Sequence, residues 1–246
     1  MSSIPFRRIG PVLCGLLLLA SAGRAVTLKE HFDKTVPLSP GSQVTLRNVN
    51  GGIKVAAWDR NEVRIEADKE VKAGTDSAAR KLMDQVRIDV TPGNNGLRVE
   101  THAPKRGDSV WDALFGNRVN YNVKYVIHVP RQAAVDAESV NGGVSLAGTR
   151  GRARLETTNG AVDVELASLP GGTDLRFEST NGGIHVRLPH DARLSVDAET
   201  VNGRVSSDFA VRGGQPGKRS LRGDINGGGG RLTIRTTNGG IEILGH

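Results

Sequence analysis

The chain has 246 residues, carries 33 Lys and Arg against 26 Asp and Glu for a net charge of +7, and is 37% hydrophobic. A single cysteine, Cys14, excludes a disulfide framework, and basic residues that alternate with acidic ones instead of clustering exclude a nucleic-acid groove. Only 4% of the residues are aromatic while 32 are glycine, a balance that points to many tight turns joining short strands and hence to an all-β chain with a long, thin core.

At the start, Arg7 and Arg8 precede an apolar run from Val12 to Ala20 and the small residues Ala20-Ser21-Ala22. This is the pattern of a secretory signal peptide over residues 1–25, cleaved near Ala22 or Ala25. The apolar run is too short to span a bilayer and no comparable run follows, so no integral membrane segment is expected after cleavage. Pro11-Val12-Leu13 before Cys14 lacks the small residue of a lipoprotein site. The expected mature chain therefore has no thiol, a net charge of +5, and an exported location in the periplasm or at the cell surface.

Residues 26–130 read as an N-terminal β region. It holds a first Asn-Gly unit at Asn50 and strands at Glu62–Glu70, Val86–Val90, Leu97–Thr101 and Tyr121–Val129. One short helix is expected over Asp76–Gln85, capped by Thr75 or Asp76, with Ala78, Ala79, Leu82 and Met83 forming a small apolar face that covers an end of the core. The segment Ala103 to Arg118 carries Trp111, Leu114 and Phe115 in a polar, glycine-bearing context. These three are a candidate partner contact, the alternative being that they fold back onto the sheet.

Residues 131–246 are dominated by a repeat. Asn141, Asn159, Asn181, Asn202, Asn226 and Asn238, like Asn50, are each followed by Gly, with steps from Asn141 onward of 18, 22, 21, 24 and 12 residues. Before each Asn stands a β-branched residue: Val49, Val140, Thr158, Thr180, Val201, Ile225 or Thr237. One position earlier is a small polar residue, and apolar residues return three and five places after Asn, as in Val162 and Val164 or Ile184 and Val186. Period two on both sides gives two strands per turn, with Lys54, Ser145, Asp163, His185 and Glu242 facing solvent. The recurrence of residue classes at fixed offsets favours stacked coils over isolated hairpins, with Asn over Asn and Thr over Thr. Gly and Asn are expected at the bends because a sharp turn needs positive φ.

Repeated Thr/Val-Asn-Gly-Gly-Ile/Val-x-Val units behind a signal peptide resemble the bacterial putative-adhesin domain family of unknown function. The resemblance extends over nearly all of the expected mature chain. It implies a β-solenoid at the cell envelope and no catalytic residues to carry over. The fold expectation is thus an all-β, single-stack β-helix-like solenoid, continuous with the N-terminal β region. The unit from Asn226 to Gly230 departs from the pattern through its extra glycines.

No cofactor or metal site is expected. Gly213 to Arg219 approaches a phosphate-loop pattern, but Arg212 stands where its first Gly belongs and Arg219 where Ser or Thr would meet magnesium. The six histidines form no His-Glu-x-x-His pattern, and no Gly-x-Ser-x-Gly elbow occurs. Arg222-Gly223-Asp224 spells an adhesion tripeptide, but Asp224 holds the small polar position and is expected to point inward.

The function that follows is a non-catalytic, exported envelope module that binds an envelope protein or polysaccharide through its repeated face. One alternative is a periplasmic regulatory or envelope-stress protein acting through a protein partner at Trp111. Another is a polysaccharide lyase or hydrolase using outer-face carboxylates such as Asp163, Glu165, Asp174 and Glu178.

Overall fold

The computed structural model describes residues 25–93, 95–104, 119–214 and 217–246. The expected signal segment up to residue 24 and the candidate contact residues Trp111, Leu114 and Phe115 lie outside the described residues.

Strands β1 (Val26–Pro37), β2 (Gln43–Asn50), β3 (Ile53–Trp58) and β4 (Glu62–Ala73) precede the helix α1 (Asp76–Gln85). β5 (Arg87–Gly93), β6 (Gly96–His102) and β7 (Asn120–Pro130) follow. The repeat then supplies β8 (Ala134–Asn141), β9 (Val144–Ala147), β10 (Ala153–Asn159), β11 (Val162–Glu165), β12 (Asp174–Asn181) and β13 (Ile184–Leu188). After these come β14 (Leu194–Asn202), β15 (Val205–Ser207), β16 (Val211–Arg212), β17 (Ser220–Ile225), β18 (Gly230–Asn238) and β19 (Ile241–Gly245).

Among the described residues the architecture is all-β with one helix, and it is solenoid-like. A nine-stranded sheet runs β1-β4-β7-β3-β9-β11-β13-β19-β15, and a ten-stranded sheet runs β16-β17-β14-β18-β12-β10-β8-β2-β6-β5. Each Asn-Gly bend except that at Asn226 carries the chain from the ten-stranded sheet to the nine-stranded one, as from β10 to β11 and from β12 to β13. Strands on either side of a bend therefore do not pair with each other as in a hairpin. They pair in parallel with the equivalent strand of the next coil, so that Leu155 meets Phe177 and Val164 meets Val186. Alternation places Leu155, Leu175, Phe177 and Ile234 from one sheet and Val162, Ile184, Val186 and Ile241 from the other in a shared, fully buried core. Each such side chain contributes about 1.5–3 kcal/mol on leaving water.

Two local features bound this core at the N-terminal end. The Thr75 hydroxyl accepts a hydrogen bond from the Ala78 amide at 3.2 Å and starts α1, which buries Ala79, Leu82 and Met83 against β1 and β4. Across the two sheets, Thr101 and the Tyr125 hydroxyl share a buried hydrogen bond of 2.6 Å, and burial pushes the Tyr125 phenol well above its ordinary pKa.

The coils are not stacked in chain order. β18 lies between β12 and β14, and β19 between β13 and β15, so the Asn238 coil is inserted between the Asn181 and Asn202 coils. Asn226 belongs to none of them. It is the one non-glycine residue with positive φ among those described (49°), and its amide donates to the His190 and Ala192 carbonyls at 2.9 Å. The extra glycines around it form the return that lets β18 run back into the stack.

The expected reason for glycine at the bends is also corrected. No ladder asparagine has positive φ, and Gly51, at 122°, is the one ladder glycine in that region. What excludes a side chain is the neighbouring coil: a Cβ on Gly182 would lie 1.9 Å from the Gly160 carbonyl oxygen, and one on Gly160 would lie 2.4 Å from that of Gly142. Gly182→Ala should therefore lower stability by about 2 kcal/mol or more, a Tm loss of roughly 5 °C. Gly171→Ala, where nothing lies within 4 Å, should melt within about 1–2 °C of the parent. Equal melting of the two variants in a thermal scan would contradict the contact argument.

Candidate functional site

The bends align along one edge of the molecule, and their side chains form two ladders. On the surface, in the spatial order Asn50, Asn141, Asn159, Asn181, Asn238 and Asn202, each asparagine amide donates to the side-chain oxygen of the one before it, at 2.8–2.9 Å. Beneath it, the small polar residue two places before Asn is buried in every coil. It does not pair with its own kind, as sequence suggested. Ser139, Thr157, Ser179, Thr236 and Thr200 instead donate to the carbonyls of Gly51, Gly142, Gly160, Gly182 and Gly239 in the adjacent coil, at 2.8–3.0 Å. Glycine amides close the third contact, such as Gly160 to the Asn181 carbonyl at 3.0 Å.

Between the two ladders a further row faces outward, made of the residues immediately before Asn. Thr158 lies between the register pairs Thr157–Ser179 and Asn159–Asn181, and Thr180 and Thr237 hold the same place in their coils. Val201 continues the row at 55% exposure, Val49 holds the other end at 42%, and these are two of the three exposed large apolar residues among those described. Six coils at about 4.8 Å per step give a row roughly 24 Å long. Thr158, Thr180, Thr237 and Val201 line a shallow groove of about 450 Å³ together with Glu156, Glu178, Glu199 and Arg235. Sequence reading took these β-branched residues as a preference for extended backbone. Parity counted from the buried residue before each of them places them on the surface.

The charges beside this row are paired. Arg154 meets Glu156 at 3.3 Å, Arg176 meets Glu178 at 2.6 Å, and Arg47 holds both Asp136 and Glu138 at 3.0 Å. Arg222 bonds Asp197 at 2.9 Å and Glu199 at 3.2 Å, and Asp224 accepts from the Ser195 hydroxyl at 2.6 Å. Buried Leu221 and Ile225 thus put Arg222 and Asp224 on the outer face, against the inward position expected for Asp224. Both are engaged with β14 and do not form a free loop.

The carboxylates considered for glycan chemistry do not converge. Asp163 and Glu165 project from β11 in the nine-stranded sheet, and Asp174 and Glu178 from β12 on the opposite face of the molecule. Asp163 is bonded to the His185 Nδ1 at 2.9 Å, and His128 stacks on Trp58 with ring centroids 5.2 Å apart. His31, Asp33 and Glu66 bring three ligand atoms within 4.8 Å of one another, but Arg64 already neutralises them, at 2.7 Å from Asp33 and 3.0 Å from Glu66. A second cavity, of about 490 Å³, lies at the first coil between Asn50, Tyr121, Asn141 and His102, and is bordered by Pro104 and Val119.

One electrostatic consequence follows from these pairs. Hydrogen bonds from Arg235, and then from Arg222, hold the Asp197 carboxyl below its usual range despite partial desolvation. A depressed folded-state pKa gives stability that is complete above the unfolded value of about 3.9 and is lost as pH falls through the lower, folded value. Because the side chain is 41% exposed, Asp197→Asn should cost under about 1 kcal/mol at pH 7. Urea titrations of variant and parent should converge once the pH has fallen through the depressed folded-state value, and a gap that persists there would contradict the ion-pair account.

Among solved structures, the chain is similar to a "putative cell adhesion protein" from Clostridium sporogenes ATCC 15579, with 14% identity over 88% of this chain and 100% of that one, at a TM-score of 0.57. It is also similar to a "putative adhesin" from Bacteroides fragilis NCTC 9343, with 11% identity over 87% and 96% of the two chains, at a TM-score of 0.33. At such identities the first of these likenesses speaks to fold alone. No curated protein matches the chain. Among the described residues, no helix is long and apolar enough to cross a membrane. Residues 122–244, half of the chain and five of the six stacked coils, match the Toastrack DUF4097 family, and the chain belongs to that family.

Proposed function

We propose that the protein is a non-catalytic, exported cell-envelope module that binds an extended polar polymer along the outward row Val140, Thr158, Thr180, Thr237 and Val201. The observation that carries this reading is the row itself. A β-branched side chain with a hydroxyl or methyl recurs at every coil, flanked by the amide ladder on one side and by neutralised charge on the other. Threonine hydroxyls and asparagine amides donate and accept, while the methyl groups supply apolar contact, so each coil offers the same small mixed site. A linear polymer with polar repeats, such as an envelope polysaccharide, gains affinity from many weak contacts of this kind. Export is supported by the Arg7, Arg8 and Val12–Ala22 pattern, and the naming of the Clostridium sporogenes protein after cell adhesion accords with an envelope role. On this reading residues 1–25 are a leader, 26–130 an N-terminal β region, and 131–246 the stacked repeat.

A regulatory reading has its own observation. The cavity of about 490 Å³ is bordered by Pro104 and Val119 and lined by Tyr121 and His102, which a protein partner would meet there.

Two experiments separate scaffold from site. Replacing Thr158, Thr180 and Thr237 together by Lys should leave the melting curve nearly unchanged and weaken cosedimentation with isolated cell-wall polysaccharide about tenfold or more. Unaltered binding would exclude the row. Asn181→Ala removes two ladder bonds, to Asn159 and from Asn238. It should cost roughly 1–2 kcal/mol in stability while polysaccharide binding by the folded protein stays within about twofold. If polymer binding proves absent, deletion of Trp111 to Phe115 decides whether a protein partner is lost instead.

A further inference from the structure

Two sheets have four outer edges, and three of them are blunted. The nine-stranded sheet ends at β15, three residues long, and the ten-stranded sheet ends at β16, two residues long, and at β5, which carries Pro92. Short strands and proline leave little backbone for another chain to pair with. The fourth edge is β1. It is a regular 12-residue strand whose register with β4 is unbroken from Val26↔Ala73 to Pro37↔Glu62, and its one proline is the terminal Pro37. Among the described residues, nothing pairs with its outer side.

The order of side chains along this strand is self-complementary. Taken antiparallel to itself about Phe32, β1 sets Glu30 against Lys34, His31 against Asp33, Lys29 against Thr35 and Leu28 against Val36. Every charged residue but one meets its opposite, the apolar residues meet each other, and Phe32 meets Phe32. Alternation keeps the matching faces together. Leu28, Glu30, Phe32, Lys34 and Val36 lie on the inner face with Val71, Lys69, Ala67, Ile65 and Val63 of β4, and His31 and Asp33 lie on the outer face.

The inner face also shows what such a contact would complete. Glu30 pairs with the buried Lys69 at 2.7 Å, and Asp33 pairs with Arg64. Lys34 sits half-buried beside Ile65 and has no ion-pair partner among the described residues. Phe32 and Val36 are only half-buried, although both contact the core. A second β1 would bring a Glu30 carboxylate to Lys34 and cover both apolar side chains.

We infer that β1 is a self-association edge: two copies pair antiparallel through β1 about a two-fold axis at Phe32, which joins their nine-stranded sheets into one. The interface is isologous, and the twofold closes it, because among the described residues each copy has a single unblunted edge to offer. Opposite-charge pairs directly across an antiparallel ladder favour this register, and a shift by two residues would set Glu30 against Phe32.

The test uses the full chain with Cys14→Ser, so that any introduced thiol is the only one. Phe32→Cys should form a disulfide-linked dimer under mild oxidation. A mixture of Lys29→Cys and Thr35→Cys chains, both exposed positions, should cross-link to each other, while Thr35→Cys alone should not. Lys34→Glu should raise the dimer dissociation constant at least tenfold in sedimentation velocity, with unchanged far-UV circular dichroism. A monomer at all concentrations, as when β1 is covered by a strand from elsewhere in this chain or from another protein, would overturn the inference. So would a dimer that lacks the Lys29–Thr35 cross-link, or one indifferent to Lys34→Glu.

Discussion

The structure depends on how closely one bend can lie against the next. Backbone amides reach the neighbouring coil's carbonyls only if nothing projects between them, and the glycine after each asparagine is the residue that leaves this space open. Once the bends touch, three hydrogen bonds form per step: amide to carbonyl, asparagine to asparagine, and a buried hydroxyl to a glycine carbonyl. The hydroxyl matters because it satisfies a carbonyl inside the core edge, where an unpaired acceptor would cost about 1–3 kcal/mol. Parallel register, sheet separation and the position of every outward side chain follow from this repeated contact.

Much of this was visible in the residues alone. The fixed offsets around Asn-Gly identified stacked coils, parity separated Ile184 and Val186 from His185, and the helix start was placed at Thr75 or Asp76, of which the structure uses Thr75. Other features were hidden for physical reasons. β1 escaped notice because Glu30 and Lys34 occupy inward positions that a strand pattern expects to be apolar. Insertion of β18 between β12 and β14 could not be read from spacing, since a parallel coil pairs equally well with either neighbour whenever the residue classes repeat. Glycine was expected for its torsional freedom and is needed for its lack of a side chain, a distinction that depends on the adjacent coil and not on local sequence. The direction of Asp224 was misjudged because the Asn226 unit was aligned with the repeat to which it does not belong.

The surfaces divide their work in a way the composition conceals. Mild net charge comes from arginines and carboxylates that cancel each other within a coil or between neighbours, which leaves no focused field on the faces described. Against that neutral background, what recurs is small, uncharged and hydrogen-bonding. Such a surface suits recognition of a repeating partner better than steering of a single charged ligand. Pairing through β1 would set two such rows on one body, so that weak contacts on each reinforce the other.

The insertion of residues 230–245 between older coils also bears on how the chain reaches its final form. During synthesis, β12 and β14 emerge before the strand that separates them. Until β18 arrives their facing edges are unpaired, and they must be held about 9.6 Å apart, two strand spacings, or pair wrongly and then separate. The β17 strand offers a means of waiting, since it pairs antiparallel with β14 on the side away from the gap. The fold is thereby locked by a late-arriving segment, and the core closes only once residues 230–245 have taken their place between the earlier coils.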